Sequence, residues 1–413
     1  MENNNHSYTF FFTCQRGIED ELQKEINEIT NSEIDSSPAF CGVKAVLSIP
    51  LAVKVLINTT MANRIYLKID EFEFTRNSEI PEQIAKIDWN DYFNVSKSIG
   101  IKTSFGEIQS KFADQFKSPF FISQLTKDGI NQYFENKNKK RITIENKNPD
   151  LKVYQFVEGI TKTRFKFIIY VDFVGKNLGE RGYRLPRQKA PLRETLAGYL
   201  VRKMQLQPEN HFLDAMAGSG TMVMEYLIHR YNLGGQYLAI LNQNLNFDFE
   251  KLSFYRKNRE LPEQVKEIIK RKEKHIGKKL KEITQDNHIW ANDMDPKCIR
   301  DIVQALKLSL LSPNLKTSKQ DALQIRPDVN SKNYKVFYNP PYGKRIGEEE
   351  HLADLYYQIG ENHKQNYPDS EFYIIAPEKE FVKKIRLKPF LKDRIFHGGL
   401  ECYFYGYSID AKT

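Results

Sequence analysis

The period of the apolar positions changes several times along the chain. Residues Tyr8 to Thr13 (YTFFFT) are aromatic and β-branched, which predicts a strand. From Gly17 to Ile29, apolar residues recur at Ile18, Leu22, Ile26 and Ile29, the spacing of one helix face. Val43 to Ile49 alternates as a half-buried strand does and stops at Pro50, after which Leu51 to Thr59 resumes a helical stripe. Residues 1–60 are therefore expected to form a small α+β module, taken as ferredoxin-like.

Strands and helices continue to Asp172: strands at Arg64–Ile69, Ser98–Thr103, Gln155–Val157 and Phe165–Phe173, with a helix over Phe120–Phe134. The stretch Asn136–Asp150 is basic at its front and ends in Asn148-Pro149-Asp150, which predicts a loop. A break spans Lys176 to Ala190, and longer strand–helix repeats follow it. Strands are expected at His211–Leu213, His288–Ala291, Lys335–Tyr338 and Phe372–Ala376. Helices are expected from Thr221, over Pro296–Leu311 and over Leu352–Asn366. Strands alternating with helices predict a doubly wound, mainly parallel sheet for residues 176–413. An insertion near residues 233–285, charged and amphipathic over Arg256–Lys281, predicts helices packed on that sheet with a basic outer face.

Composition changes this picture in few places. The 413 residues leave room for two or three domains. No run of about 20 apolar residues occurs, and the polar start Met1-Glu2-Asn3-Asn4-Asn5-His6 lacks a signal-peptide pattern, so no membrane partner is expected. Cys14, Cys41, Cys298 and Cys402 are scattered, which argues against a zinc site or a disulfide framework; no metal is expected, and a reducing cytoplasm is the expected setting. Lys and Arg number 62 against 53 Asp and Glu, a balance that favours a polyanionic partner. Lys137, Lys139, Lys140 and Arg141 are candidate phosphate contacts, although a plain solvated loop would read the same way.

Three motifs carry chemistry. In Phe212-Leu213-Asp214-Ala215-Met216-Ala217-Gly218-Ser219-Gly220-Thr221, an apolar strand delivers an acid, a Gly-Ser-Gly turn lets backbone approach a ligand, and a helix begins. No dinucleotide glycine spacing and no Gly-Lys-Ser/Thr is present. The stretch suits the zwitterionic end of S-adenosyl-L-methionine: N–H donors over Ala215, Gly218, Ser219, Gly220 and Thr221 for its carboxylate, Asp214 for its ammonium. In Trp290-Ala291-Asn292-Asp293-Met294-Asp295-Pro296, Asp293 is the candidate acceptor for ribose hydroxyls and Met294 for contact with the adenine face. Asp295 is second choice for the ribose, because it can cap the helix that Pro296 opens. Asp321 is a candidate acceptor for the adenine amino group, or else a turn residue.

The third motif, Tyr338-Asn339-Pro340-Pro341-Tyr342-Gly343, follows a predicted strand. An exocyclic amine of a nucleobase is a poor nucleophile because its lone pair is delocalised into the ring. Methyl transfer needs acceptors on both N–H bonds, here the Asn339 side-chain oxygen and the Pro340 carbonyl, with prolines stiffening the backbone. Tyr342 offers a face on which an extruded base stacks. The motif implies transfer to an amino group but does not separate guanine N2 from adenine N6.

With these residues in place, the chain resembles the THUMP-containing RNA methyltransferases with a Rossmann-like catalytic domain. It is most similar to the bacterial large-subunit (23S) ribosomal RNA guanine-N2 methyltransferases. Besides the three motifs, the resemblance rests on Thr13-Cys14-Gln15-Arg16-Gly17-Ile18-Glu19-Asp20, on Asn148-Pro149-Asp150 with the strand at Phe165–Phe173, and on Phe247-Asp248-Phe249-Glu250-Lys251. It rests also on Arg181-Gly182-Tyr183-Arg184 with Ala190-Pro191-Leu192-Arg193-Glu194, and on the closing His397-Gly398-Gly399-Leu400-Glu401-Cys402. The resemblance implies a THUMP domain over residues 61–175 that grips structured RNA, 23S ribosomal RNA or a large-subunit assembly intermediate. It also implies a methyltransferase domain over 176–413, with Pro191 and Leu192 beside the methionine end of the cofactor. Ala217 departs from the cysteine of many relatives, with no loss of activity expected, and the second methyltransferase domain that many relatives carry is not expected within these 413 residues. Guanine N2 of transfer RNA, adenine N6, and a binding-only protein with a silent Rossmann half are the competing readings.

Overall fold

The computed structural model describes residues 6–31, 34–106, 118–161, 163–185, 192–326, 333–340, 348–376 and 379–410. Among the described residues up to 172, eight strands share one sheet: β1 (Tyr8–Thr13), β2 (Ser36–Ala39), β3 (Gly42–Leu47), β4 (Arg64–Phe74), β5 (Ser98–Phe105), β6 (Thr143–Ile144), β7 (Leu151–Gly159) and β8 (Phe165–Asp172). Their spatial order is β2-β3-β1-β4-β8-β7-β5-β6, so the sheet runs unbroken across residue 60. β4 is the seam: it pairs antiparallel with β1 over its first residues and with β8 over nearly its whole length, with a bulge between Lys68 and Asp70. Helices α1 (Glu19–Thr30), α2 (Ile49–Asn58), α3 (Glu79–Ile84) and α4 (Pro119–Asn138) accompany this sheet. Strict alternation of buried and half-buried residues along β7 follows from that arrangement, since one face is covered more fully than the other.

Several boundaries differ from expectation, among them two in the N-terminal half with local reasons; β4 and β7 also run longer than expected. α2 begins at Ile49, ahead of Pro50, because a proline in the first turn sacrifices only an N–H that has no helical partner. α4 continues to Asn138, and the stretch expected as loop also holds the two-residue β6. Within it, Lys137 lies over the Tyr133 ring and Arg141 pairs with Glu135.

The second sheet has seven strands: β9 (His211–Asp214), β10 (Ile289–Asn292), β11 (Lys316–Ser318), β12 (Tyr334–Tyr338), β13 (Ser370–Ala376), β14 (Leu391–His397) and β15 (Leu400–Ile409). They stand in the order β11-β10-β9-β12-β13-β15-β14; the first five are parallel, and β15 is antiparallel to both its neighbours. Strand order reverses between β9 and β12, which makes that gap the topological switch point of the doubly wound sheet. β12 is buried at all five residues, as a central parallel strand covered on both faces must be.

Around this sheet lie α5 (Glu194–Lys203), α6 (Thr221–Arg230), α10 (Pro296–Leu308), α11 (Glu348–Asn366) and α12 (Lys379–Lys383). α10 stops at Leu308, three residues earlier than expected. The Ser309 hydroxyl donates to the carbonyls of Ala305 and Leu306, and Leu310 turns left-handed at φ 59°. The insertion forms α7 (Tyr237–Leu241), α8 (Ser253–Lys257) and the 24-residue α9 (Glu260–Ile283), which packs on α2 as well as α7. No helix among the described residues is long and apolar enough to cross a membrane.

The two sheets are tied by buried polar groups. Arg181 and Glu225 of α6 form an ion pair at 3.3 Å with both side chains fully buried. Arg181 also donates to the carbonyls of Leu178 (2.7 Å) and Thr60 (2.6 Å), and the Tyr183 hydroxyl donates to Glu225 at 2.8 Å. The N-terminal module, the connecting segment and the first helix after β9 thus meet at one guanidinium. Leaving that cation without its partner in a dry site is strongly unfavourable. Glu225→Ala is expected to lower unfolding stability by roughly 3–5 kcal/mol in urea denaturation, while Arg181→Met combined with Glu225→Leu recovers most of the loss. A single variant within about 0.5 kcal/mol of the parent would show that the pair does not hold the modules together.

Candidate active site

A cavity of about 840 Å³ lies at the carboxyl ends of β9, β10 and β12, in the gap where the strand order reverses. Each strand delivers its last residues to the rim. The volume falls in the range of sites that enclose a cofactor-sized ligand.

β9 ends in Asp214, and the chain then turns through Ala215-Met216-Ala217-Gly218-Ser219-Gly220 before α6. The turn requires positive φ at Gly218 (50°) and Gly220 (77°). The two glycines serve different neighbours. Nothing stands within 4 Å of where a Gly218 Cβ would be, whereas one on Gly220 would come to 2.7 Å from Ile302 Cγ1 of α10. Gly218 therefore leaves the cavity wall flat, and Gly220 lets two helices close on each other. The Asp293 carboxylate fixes the turn: its Oδ2 accepts from the Gly218 amide at 2.8 Å and its Oδ1 from the Asp295 amide at 2.9 Å.

Below this turn, Asn292 is completely buried. Its Nδ2 donates to the carbonyls of Ala215 (3.0 Å) and Gln320 (2.9 Å), and its Oδ1 accepts from the Ser318 hydroxyl (2.7 Å). One amide thereby joins the segments that follow β9, β10 and β11. Its position at a strand end gave no sign of this.

Asp214 is the electrostatic centre of the wall. It is buried, its Oδ1 has no hydrogen-bond partner among the described residues, and it lines the cavity. Burial first, and the neighbouring Asp293 charge second, hold its carboxyl well above the usual carboxylate range. An unsatisfied buried carboxyl facing a cavity calls for a cation, and the α-ammonium of S-adenosylmethionine is one. Asp293 keeps acceptor capacity beyond its two backbone contacts, as ribose hydroxyls require. The residues present therefore fit the cofactor. Cys298 also lines the cavity, but burial and then Asp293 push its thiol up to about 11, so it stays protonated and is no nucleophile.

On the β12 side the wall is formed by Phe337, Asn339 and, from α11, Asp354, Leu355 and Gln358. Asn339 is half-buried at the strand end; Tyr338 before it points into the core, where its hydroxyl lies 3.0 Å from His363 Nε2 of α11. Burial pushes His363 down to about 3, so the imidazole is neutral and serves as a wedge between β12 and α11.

Of the residues singled out in the sequence, Asp214, Ala215, Gly218, Ser219, Thr221, Asp293, Met294, Asp321, Leu192 and Asn339 all line this one cavity. Met294 is 71% exposed there. Asp295 caps α10 by accepting from the Lys297 amide at 2.8 Å, and it too reaches the rim. Asp321 combines its two readings: it lines the cavity while Oδ1 accepts from the Leu323 amide at 2.9 Å in a turn. Gly220 is not part of the wall, and Pro340 is buried outside it. Pro191 and Tyr342 lie outside the described residues. Asn292, Asp354, Gln358 and the Tyr338–His363 pair were not anticipated. Only the i, i+4 spacing of Asp354 and Gln358 marked a shared helix face, and a polar helix face in sequence looks the same whether it meets solvent or a cavity.

Comparison with known proteins agrees with this geometry. A candidate RNA methyltransferase of Synechocystis sp. is 24% identical over 405 residues, covering 97% of this chain and 96% of that protein. The ribosomal RNA large subunit methyltransferase K/L of Shewanella baltica is 27% identical over 420 residues, 98% of this chain but 53% of its own length. The chain thus spans about half the length of the K/L relatives that it matches. A candidate methyltransferase crystallised with S-adenosylhomocysteine has the same fold, with a TM-score of 0.80 at 19% identity over 98% of this chain and 99% of that one. The family model described as RMKL-like, methyltransferase domain, matches residues 181–405. More than half of the chain falls within that match, and it contains the Arg181 junction, the Asp214 turn, Asp293 and Asn339; the protein belongs to the RMKL-like methyltransferase family and uses S-adenosylmethionine as its cofactor.

Proposed function

We propose that this protein methylates the exocyclic N2 amine of a guanine in large-subunit (23S) ribosomal RNA. The observation that carries the reading is the presence of Asp214, Asp293 and Asn339 in the wall of one cavity at the switch point of the sheet. Two of them suit the cofactor and the third suits an amine. The names of the K/L relatives support ribosomal RNA as the substrate, and that of the Synechocystis relative supports RNA in general. Residues 1–60 are proposed as a ferredoxin-like module and 61–175 as a THUMP domain that grips structured RNA, with the net charge of +9 favouring a polyanion. The cytoplasm is the proposed setting.

When bound, S-adenosylmethionine supplies a methyl group on a sulfonium, an already activated donor. What remains for the protein is orientation. Asp214 Oδ1 would receive the ammonium, the Ser219 amide would face the carboxylate while that of Gly218 stays on Asp293, and Asp293 would take the ribose hydroxyls and Asp321 the adenine amine. Asn339 Oδ1 accepts one N–H bond of the guanine amine, and the carbonyl of Pro340, which follows Asn339 but does not line the cavity in the free protein, is the proposed acceptor for the other. Their pull withdraws the lone pair from the ring and aims it along the transfer direction, an interaction that strengthens as the nitrogen becomes tetrahedral and positive. One N–H proton then leaves to water. The neutral Asn339 is suited to that task because it stabilises developing positive charge without holding the proton.

Comparing modified nucleosides in ribosomal and transfer RNA from cells with and without the gene tests the reading directly. Loss of one N2-methylguanosine from 23S ribosomal RNA is expected, and loss confined to transfer RNA or to N6-methyladenosine would overturn it. Asn339→Ala is expected to lower turnover by about 10²-fold or more while leaving cofactor affinity nearly intact, as measured by single-turnover kinetics and calorimetry. Equal losses in both would remove Asn339 from the reacting centre.

Asp214 supplies a pH signature. Its carboxyl lies above its ordinary value in the free protein, and an ammonium ligand binds the ionised form. Affinity for S-adenosylhomocysteine should therefore rise with pH from the ordinary carboxylate range, about 4, up to the raised free-state value. Asp214→Asn should bind weakly and without that dependence. A parent protein whose affinity is flat over this window would contradict the assignment.

A further inference from the structure

The wall of the cavity divides by element. Asp214, Asp293 and Asp321 come from the ends of β9, β10 and β11, whereas Asn339, Asp354, Leu355 and Gln358 come from β12 and α11. Asp354 and Gln358 are four residues apart on one helix face, and Gln358 Nε2 donates to Asp354 Oδ2 at 2.5 Å. That bond, between two exposed side chains, occupies Oδ2 and leaves Oδ1 for a further donor. Among the described lining residues of the β12 side, Asp354 is the one that carries a charge.

The two acceptors of Asn339 and Pro340 do not by themselves distinguish one amino group from another. The atom beside the amine does. In adenine and in cytosine the ring nitrogen next to the exocyclic amine is a bare acceptor; in guanine, N1 carries a hydrogen and donates. Guanine is thus the amino-bearing base that places a second donor beside its amine. An ionised carboxylate accepts and cannot donate. Lining the same cavity as Asn339, it matches guanine and sets a lone pair against a lone pair for adenine or cytosine, a mismatch that a site built around hydrogen bonds punishes heavily.

We propose that Asp354 selects the base: its carboxylate accepts the N1–H of the target guanine, and Gln358 holds it in the orientation to do so. This rests on reading the Asn339 cavity as a guanine-N2 site. It assigns the choice of base to α11, separate from the strand ends that hold the cofactor and from the acceptors that activate the amine. An asparagine in its place would lose the selection, because an amide rotates to present either an oxygen to guanine N1–H or an NH2 to the bare nitrogen of another base.

The test uses the full chain and two measurements. RNA from cells lacking the gene is methylated by the purified protein with labelled S-adenosylmethionine, digested and resolved by nucleoside, and the modified position is mapped. A synthetic RNA of that site then carries either guanine or 2-aminopurine at the target. The analogue keeps the 2-amine but presents a bare N1. The parent protein is expected to form N2-methylguanosine and to prefer guanine strongly in kcat/KM. Asp354→Asn is expected to reduce that preference at least about 10-fold, with affinity for S-adenosylhomocysteine unchanged as the control for folding. N2-methylguanosine as product with an unchanged preference in Asp354→Asn overturns the proposal alone. N6-methyladenosine as the parent product overturns it together with the guanine reading.

Discussion

The site depends on the amide of Asn292. Buried at the end of β10, it donates to the carbonyls of Ala215 and Gln320 and accepts from Ser318 Oγ, so the chain segments that leave β9, β10 and β11 share one set of hydrogen bonds. Parallel strands fix direction and register, but not how their exits diverge. A fully satisfied polar group in a low-dielectric interior is rigid, because any rearrangement leaves a donor or acceptor unpaired. The turn at Gly218, clamped from above by Asp293, inherits that rigidity. The carboxyl of Asp214 is consequently held in place even though its own Oδ1 lacks a partner among the described residues.

An unpartnered buried carboxyl costs stability, and the fold offsets this locally. The surrounding polar groups are paired: Asn292 below, Asp293 beside it, and the Arg181–Glu225 pair at the far end of α6's first turns. Sites that bind charge keep such groups unsatisfied in the free protein, so that ligand binding supplies the missing interaction. The arrangement also separates tasks in space. Groups suited to the cofactor sit at the ends of β9, β10 and β11, and those suited to an acceptor base sit at β12 and α11, with the switch point between them.

Much of this was legible in the sequence, for a definite reason. Asp214, Asp293 and Asn339 each follow an apolar run too short to be a helix, and in a parallel sheet the residue after such a run stands at the rim of the ligand crevice. Four parallel strands of the second sheet were legible from the same period; β11, whose Lys-Thr-Ser edge has no apolar alternation, and the antiparallel pair β14 and β15 were not among the expected strands. What escaped were partnerships across the chain. Asn292 looks like any polar strand end until Ser318 and Gln320 are beside it. Arg181 and Glu225 are 44 residues apart, and no period links them. Gly218 and Gly220 looked alike in the motif, yet one faces open space and the other the Ile302 side chain. The single eight-stranded sheet over residues 8–172 likewise depends on the pairing of β4 with both β1 and β8, which only the register reveals.

The central claim is that the cavity at the switch point holds the cofactor with its ammonium on Asp214. A crystal structure of the full chain with S-adenosylhomocysteine tests it most directly. The account predicts the ammonium within hydrogen-bond distance of Asp214 Oδ1 and both ribose hydroxyls on Asp293. A nucleoside bound with Asp214 still unpaired, or seated away from the Gly218 turn, would contradict it.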